Sequence, residues 1–454
     1  MRKKTLFGFP RQIANIVGNE ACERFSYYGM RSILIVFMTH HLLMPEPEAK
    51  ATYHLFVMAV YFMPLIGGYI ADRFWGKYKA ILYLSLFYCL GHGVLAAFES
   101  REGMYWGLGL IALGAGGIKP CVSSFVGDQF DRSNQHLISK VYDLFYFSIN
   151  FGSVGATILI PWLLPTYGSK IAFGIPGVLM AVATLIFWLG RKNYVIVEPT
   201  GKAGETKFLA IVWHGLKNLP RWKKGSWLDA AQSKFGAERV DGVKAALGCA
   251  VIFACTAVFW ALWDQTASTW IIQAEKMDLI VMGVPLLASQ IQTINPILIM
   301  ALIPLLSWVV YPGIEKLGYK MTPLRKIAGG MLLTGLSFVL VGWIQLYLDA
   351  GVKLNISWQF FPFLILTISE VLVSITGLEF AYTQAPKSMK GVIMSMYCMS
   401  IALGNLLAAV VSALNPFDGP APEFFFYAGL VFAVALVFTV IARFYKVRNF
   451  VAST

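Results

Sequence analysis

The chain has 454 residues, of which 57% are apolar and 13% charged, with a net charge of +13. A soluble protein of this length would carry nearly twice that charged fraction, so a water-soluble enzyme or binding domain is excluded and a polytopic membrane protein is indicated. The basic surplus then reads as Lys- and Arg-rich loops on one membrane face, not as a nucleic-acid surface.

A membrane span needs about 20 mostly apolar residues. Twelve stretches qualify: 12–41, 52–72, 80–99, 104–126, 141–163, 171–190, 245–274, 284–310, 327–348, 358–382, 391–414 and 423–442. No cleavage site of small residues follows the basic N-terminus, which predicts a retained first helix and not a removed signal peptide. With that terminus inside, 29 Lys and Arg fall in inside segments, five in outside loops and three within spans. This bias predicts cytoplasmic termini.

The first span contains GNEACERFSYYGMRS, residues 18–32. Glu20, Glu23, Arg24 and Arg31 would together cost about 10 kcal/mol if they faced lipid unpaired. Glu20 and Arg24 are four apart, and Tyr27, Tyr28 and Arg31 continue the stripe at helical spacing. Self-neutralisation would explain Glu20 with Arg24 but not Arg31, two turns on, so the stripe is expected to face a polar interior.

In the second span His54 precedes Tyr61 by seven residues on the same face. A lone His is more often a packing residue than a proton carrier, and its neighbours in sequence do not separate the two. The fourth span carries LGAGGIKPC, residues 113–121, whose glycines and Pro120 loosen the helix beside Lys119. A buried ammonium there needs a carboxylate. In the fifth span Asn150 offers an amide to a ligand or a neighbouring helix.

The polar segment 191–244 holds eleven basic residues and has no apolar run of spanning length. It reads as a cytoplasmic linker, with Lys207–Leu219 able to form a short helix on the membrane surface. The chain thus divides into 1–190, linker 191–244 and 245–454, with six spans on each side of the linker. In the seventh span, Trp260 and Asp264 lie in FWALWDQ, and Asp264 needs a cation from another helix. The eighth puts Asn295 beside Pro296. The tenth has Glu370 at mid-span and Glu379 nearer the cytoplasmic end, the latter read as structural. The six cysteines lie in apolar runs without metal or CxxC spacing, and are expected to be packing residues.

The halves repeat weakly. GYIADRFWGK (68–77) and PGIEKLGYK (312–320) both place an acid–base pair and then a glycine on the inner side. Two linked six-helix halves with this loop resemble the major facilitator superfamily. The resemblance implies an all-α membrane protein of twelve transmembrane helices in two bundles, with no extra inserted helices and alternating access to a central site.

The intramembrane cations Arg24, Arg31 and Lys119 all lie in the first half, and the mid-span acids Asp264 and Glu370 in the second. A zwitterion between the halves would meet cations for its carboxylate and an acid for its ammonium, which suits a short peptide. Asn150 and Asn295 would supplement the ammonium end. Tyr27, Tyr28, Tyr61 and Trp260 would wall the pocket.

EACERFSYYG (20–29) resembles the ExxERFxYYG motif of the proton-dependent oligopeptide transporters, the peptide transporter family. GGYIADRFWG (67–76) and FYFSINFGS (145–153) resemble two further patterns of that family. The resemblance implies proton coupling through Glu20, Glu23, Arg24 and Lys119, with His54 added as in animal members. It implies a peptide carboxylate at Arg24 and Lys119 and a peptide amine at Asn150, Asn295 and Glu370. It also implies gate salt bridges drawn from Arg31, Asp264, Lys119 and Glu370. Tyr397 stands where many members place a pocket Trp. The chain departs from bacterial members with two extra central helices, and from animal members with a large domain between spans nine and ten.

The expectation is proton-coupled import of di- and tripeptides across the cell membrane by a single copy of the chain. Membrane lipid is the expected surrounding, protons serve as the coupling ion, and no cofactor, metal or nucleic acid is required. The alternative keeps the fold and carries nitrate or another small organic anion; such an anion, lacking an ammonium, would have little use for Glu370. An intramembrane enzyme or a channel fits the split of charges less well.

Overall fold

The computed structural model describes residues 5–6, 9–130, 137–199, 207–219, 226–384, 386 and 389–445, and these are almost wholly helical. Basic residues counted above at Arg132, Lys202, Arg221, Lys223, Lys224, Lys387, Lys446 and Arg448 lie outside the described residues, as do positions 1–4. The first half comprises α1 (Gln12–Val36), α2 (Glu46–Ile70), α3 (Gly76–Ala97), α4 (Arg101–Asp128) and α5 (Ile138–Leu189). Two short linker helices follow, α6 (Phe208–Lys217) and α7 (Gln232–Phe235). The second half comprises α8 (Ala237–Trp263), α9 (Thr269–Glu275), α10 (Ile294–Leu305), α11 (Tyr311–Lys316), α12 (Pro323–Asp349), α13 (Phe360–Glu370), α14 (Thr376–Thr383), α15 (Lys390–Leu414) and α16 (Pro420–Phe444).

Nine stretches among the described residues are long and apolar enough to cross a membrane. Two of these, Glu46–Ala97 and Lys140–Lys192, are long enough for two spans each. The charged helix α1 supplies the twelfth, although its stripe keeps it from reading as apolar. The long helix α5 is the fifth and sixth spans in one helical run, broken where Gly168 takes φ 80°, a left-handed conformation that favours glycine.

Three observed boundaries differ from expectation. The second span begins at Glu46, six residues early, because Pro45 starts the helix and Glu46 and Glu48 suit its first turn. The helix α8 begins at Ala237, eight residues early, since a helix outside the bilayer can be polar. The eighth span starts later than residue 284, because Ile280–Val281 and Val284–Pro285 pair as a hairpin turned at Met282 and Gly283.

A short helix, α6, forms within 207–219. It buries Ile211, sets Gly215 against Trp227 and Leu228, and exposes Leu209, Trp213 and Leu216.

Within the first half α1 packs on α5, α3 on α4 and α5, and α2 on α4. In the second half α12 packs on α16 and α13, and α8 on α15. The principal contact across the halves joins α2 to α15. The glycines around Lys119 permit close packing: a Cβ on Gly67 of α2 would lie 2.3 Å from the Gly116 carbonyl of α4. Wide π-type turns end α1 at Phe37–His41, join α2 to α3 at Ala71–Trp75, and interrupt the eighth and tenth spans at Leu306–Val310 and Val371–Ile375. The last directly follows Glu370, at a site where such turns are often functional.

Candidate functional site

The two halves are tied together towards the basic-poor, expected outer ends of their spans. Arg31 of α1 donates to the Asp264 carboxylate just beyond α8 and to the Tyr53 hydroxyl of α2. Both members of the Arg31–Asp264 pair are almost fully buried, so each satisfies a charge that would be costly alone. Thus Asp264 finds its cation on another helix, as its sequence surroundings demanded. The Arg31 guanidinium also lies 5.3 Å from the centre of the Trp263 ring.

His54 gains partners from the opposite half. Its Nδ1 lies 3.0 Å from Asn405 Oδ1 and its Nε2 lies 3.1 Å from Ser268 Oγ. Asn405 in turn donates to Asp264 at 2.6 Å. Further out, Lys50 pairs with Glu423 at 2.6 Å, both nearly buried, and His40 meets Glu275 at 3.0 Å. Thr157 and Thr293 bond at 3.0 Å, and Gln290 donates to the Ile158 carbonyl at 3.0 Å.

Below this closure lies a cavity between the halves. Its main part has a cavity volume of about 140 Å³. Tyr28, Tyr146, Asn150 and Ser153 line it from the first half, and Trp263, Asn295 and Glu370 from the second. An adjoining part reaches up to Arg31 and Thr157, beneath the outer closure. Asn295 donates to Glu370 at 2.7 Å and to Thr367 at 3.2 Å. Asn150 donates one amide hydrogen to the Tyr146 carbonyl, at 2.9 Å. Tyr28 lies on the face of α1 that carries Arg24 one turn before it and Arg31 one turn after it.

Behind Tyr28 the charged cluster of the first half is packed into the bundle. Arg24 lies 2.7 Å from Glu20 and 3.0 Å from Glu23. Lys119 stands 4.4 Å from the Tyr27 ring centre and 4.0 Å from that of Tyr61. Its Nζ is buried and has no hydrogen-bond partner among the described residues. Two π faces therefore hold this cation, contributing on the order of 1 kcal/mol each.

The structure corrects several placements. Lys119 and Glu370 are not paired: Glu370 bonds Asn295 in the second half, while Lys119 stays against the tyrosines of the first. Tyr27 is fully buried, edge-on to Tyr28, and does not line the cavity. Tyr61 supports Lys119 and does not form part of the described lining. Trp260 also lies behind the wall, edge-on to Trp263, which supplies the aromatic face instead. Tyr397 is turned away too: its hydroxyl donates to the Ser374 carbonyl at 3.0 Å and its ring backs Trp260. Tyr27 and Tyr28 part company through helical phase, since adjacent positions on one helix point about 100° apart. Glu379 is exposed.

Several contributing residues escaped sequence reading: Trp263, Tyr146, Ser268 and Asn405. Trp263 and Tyr146 sat inside the quoted stretches. Asn405 had only its polarity within an apolar span as a signal.

A POT family model matches residues 78–416, about three quarters of the chain. The chain belongs to the POT family. Peptide transporter family 1 of Drosophila melanogaster is 38% identical over 365 residues, 75% of this chain and 48% of that protein. Solute carrier family 15 member 2 of Homo sapiens is 36% identical over 394 residues, 82% of this chain and 54% of that protein. The chain thus matches about half the length of these animal relatives. The fold superposes on the crystal structure of the POT family transporter PepTSo with a TM-score of 0.90 and 44% identity, covering 97% of this chain and 99% of that one. An auto-inhibited POT family peptide transporter gives a TM-score of 0.87 at 41% identity, covering 97% of this chain and 98% of that one.

Proposed function

We propose that this POT family chain is a proton-coupled symporter that imports di- and tripeptides across the cell membrane. It works as a single copy with both termini in the cytoplasm. The observation that carries the reading is the polarity of the central cavity. Asn295 and Glu370 face it from one half, and Tyr28, with Arg31 lining the adjoining part, faces it from the other. A peptide ammonium would bond Glu370 and Asn295, displacing the hydrogen bond those two share. The peptide carboxylate would draw on Arg24 and Lys119, for which Lys119 must leave its two tyrosine rings. Asn150 supplies a further amide at the amine end.

Protonating a carboxylate of the Glu20–Glu23–Arg24 cluster removes one charge of a buried set and frees a cation to seek the substrate. The outer links then open and reform around each transport cycle, which is alternating access by rocking of the halves. The test is uptake of labelled di-alanine into proteoliposomes containing only this protein. Acid outside should drive saturable accumulation that other dipeptides suppress and nitrate does not. Glu23→Gln should lose accumulation against a gradient while retaining exchange of labelled for unlabelled peptide. A Glu23→Gln protein that still concentrates peptide would refute the coupling.

A further inference from the structure

Glu370 is the last residue of α13, and the wide turn Val371–Ile375 begins at the next one. The direction of its carboxylate therefore depends on how that turn is held. Buried hydroxyls hold it from two sides. On one side Ser369 donates to the Gly330 carbonyl of α12 at 2.6 Å, and the Thr334 hydroxyl lies 2.7 Å from that of Ser369. A hydroxyl has one hydrogen, so with that of Ser369 on Gly330 it is Thr334 that donates to Ser369. Only a glycine at position 330 permits the approach: a Cβ there would lie 2.5 Å from Val373 Cγ2 and 3.0 Å from Leu372 Cβ.

On the other side Tyr397 of α15 donates to the Ser374 carbonyl at 3.0 Å, inside the turn, and the Ser374 hydroxyl lies 3.3 Å from the phenol oxygen. The Tyr397 ring is itself fixed from behind, edge-on to Phe253 and Trp260 with centres 5.6 and 6.3 Å away. Ser369 and Thr334 are fully buried and Tyr397 nearly so, so water does not compete for these bonds. Side chains that bond into a helix ladder are among the identifiable causes of helix bending. Neither Ser369 nor Tyr397 lines the cavity, whereas Glu370, one residue from the first contact and four from the second, does.

We propose that Ser369 and Tyr397 are positioning residues that clamp the wide turn from two sides and aim Glu370 at the peptide ammonium. This rests on the peptide-transport reading. With the clamp intact, the carboxylate can exchange its Asn295 partner for an ammonium without any change in the helix that carries it. With one arm removed, the turn has more than one arrangement, and ordering it falls on the binding of the amine. Peptides without a free amine make no use of Glu370 and are insensitive to the clamp.

The test uses the full chain in proteoliposomes. Unlabelled di-alanine and N-acetyl-di-alanine compete against labelled di-alanine, and the ratio of their half-inhibiting concentrations measures the preference for a free amine. Tyr397→Phe keeps the ring packing and removes the hydroxyl; Ser369→Ala removes the other arm. Each should narrow the preference about three- to tenfold, the effect of one neutral hydrogen bond. Adding either change to Glu370→Gln should narrow it no further, because the clamp acts through that carboxylate. Ser337→Ala is the control. Ser337 donates to the Pro362 carbonyl at 2.8 Å, a buried bond between the same two helices but eight residues before Glu370. Its loss should lower the thermal unfolding midpoint about as much as Ser369→Ala does and keep the parent's preference.

A parent-like preference in Tyr397→Phe or in Ser369→Ala overturns the proposal. So does equal narrowing in Ser337→Ala, which would mark a general loosening of the contact between α12 and α13, or further narrowing in the double variants. If Ser369→Ala does not fold, Tyr397→Phe decides alone. A parent protein that takes up no di-alanine, or that binds the blocked peptide equally well, overturns the peptide reading itself.

Discussion

At the scale of single residues, the geometry separates groups that sequence spacing had pooled. Tyr27 and Tyr28 are neighbours in the chain, yet one braces Lys119 from inside the bundle and the other fronts the cavity. Glu370 is the acid that meets the cavity directly, held by Asn295. A hydrogen bond between a charged carboxylate and a peptide ammonium contributes about 1.5–3 kcal/mol net. Glu370→Gln should accordingly raise the KM for di-alanine by about tenfold or more. It should also narrow the preference for di-alanine over N-acetyl-di-alanine, because the blocked peptide never had the ammonium to lose. Competition uptake with the two peptides checks this, and an unchanged preference would remove Glu370 from the amine end.

Among the elements, the contact of α2 with α4 is the one most sensitive to added volume. The backbones approach so closely at Gly67 and Gly116 that a side chain at either must displace main chain. Gly67→Leu should destabilise the first half by about 1–3 kcal/mol or shift α4 enough to misplace Lys119. Gly313→Ala is the control, because that position is exposed and a Cβ there meets nothing within 4 Å. Thermal unfolding in detergent should show a lowered midpoint for the first and little change for the second. The stripe of α1 follows the same logic on the polar side. Glu20, Glu23 and Arg24 neutralise one another along the helix under the cover of α5, whereas Arg31 is neutralised by Asp264 of the other half.

Across the whole molecule, buried links between the halves gather at the expected outer ends while the central cavity lies beneath them. Such an arrangement is one end-state of a rocking cycle, and it places the cost of opening on several small contacts at once. The Lys50–Glu423 and Arg31–Asp264 pairs both cross the halves. If a proton travels inward with a neutral dipeptide, the moving complex carries net positive charge. The membrane potential then contributes about 2.3 kcal/mol per charge per 100 mV. Uptake of di-alanine at fixed pH should rise when a potassium gradient with valinomycin makes the vesicle interior negative. Equal uptake with and without the potential would mean that no net charge moves.

The sequence by itself determined the twelve spans, the two halves, the polar linker and the set of intramembrane charges. Those follow from transfer energies: 20 apolar residues and a buried Arg announce themselves without knowledge of their neighbours. The family motifs were legible for the same reason, being contiguous. It also required that Asp264 be paired from another helix, since nothing near it in the chain could do so. Which helix supplied the partner was decided only by the tertiary structure, because Arg31 and Asp264 are 233 residues apart. Tertiary packing likewise decided that Tyr28 and Trp263 line the cavity while Tyr27, Trp260 and Tyr397 are packed behind it. It placed Lys119 on two tyrosine rings in place of a carboxylate. It also placed Asn405 between His54 and Asp264, within hydrogen-bond distance of both.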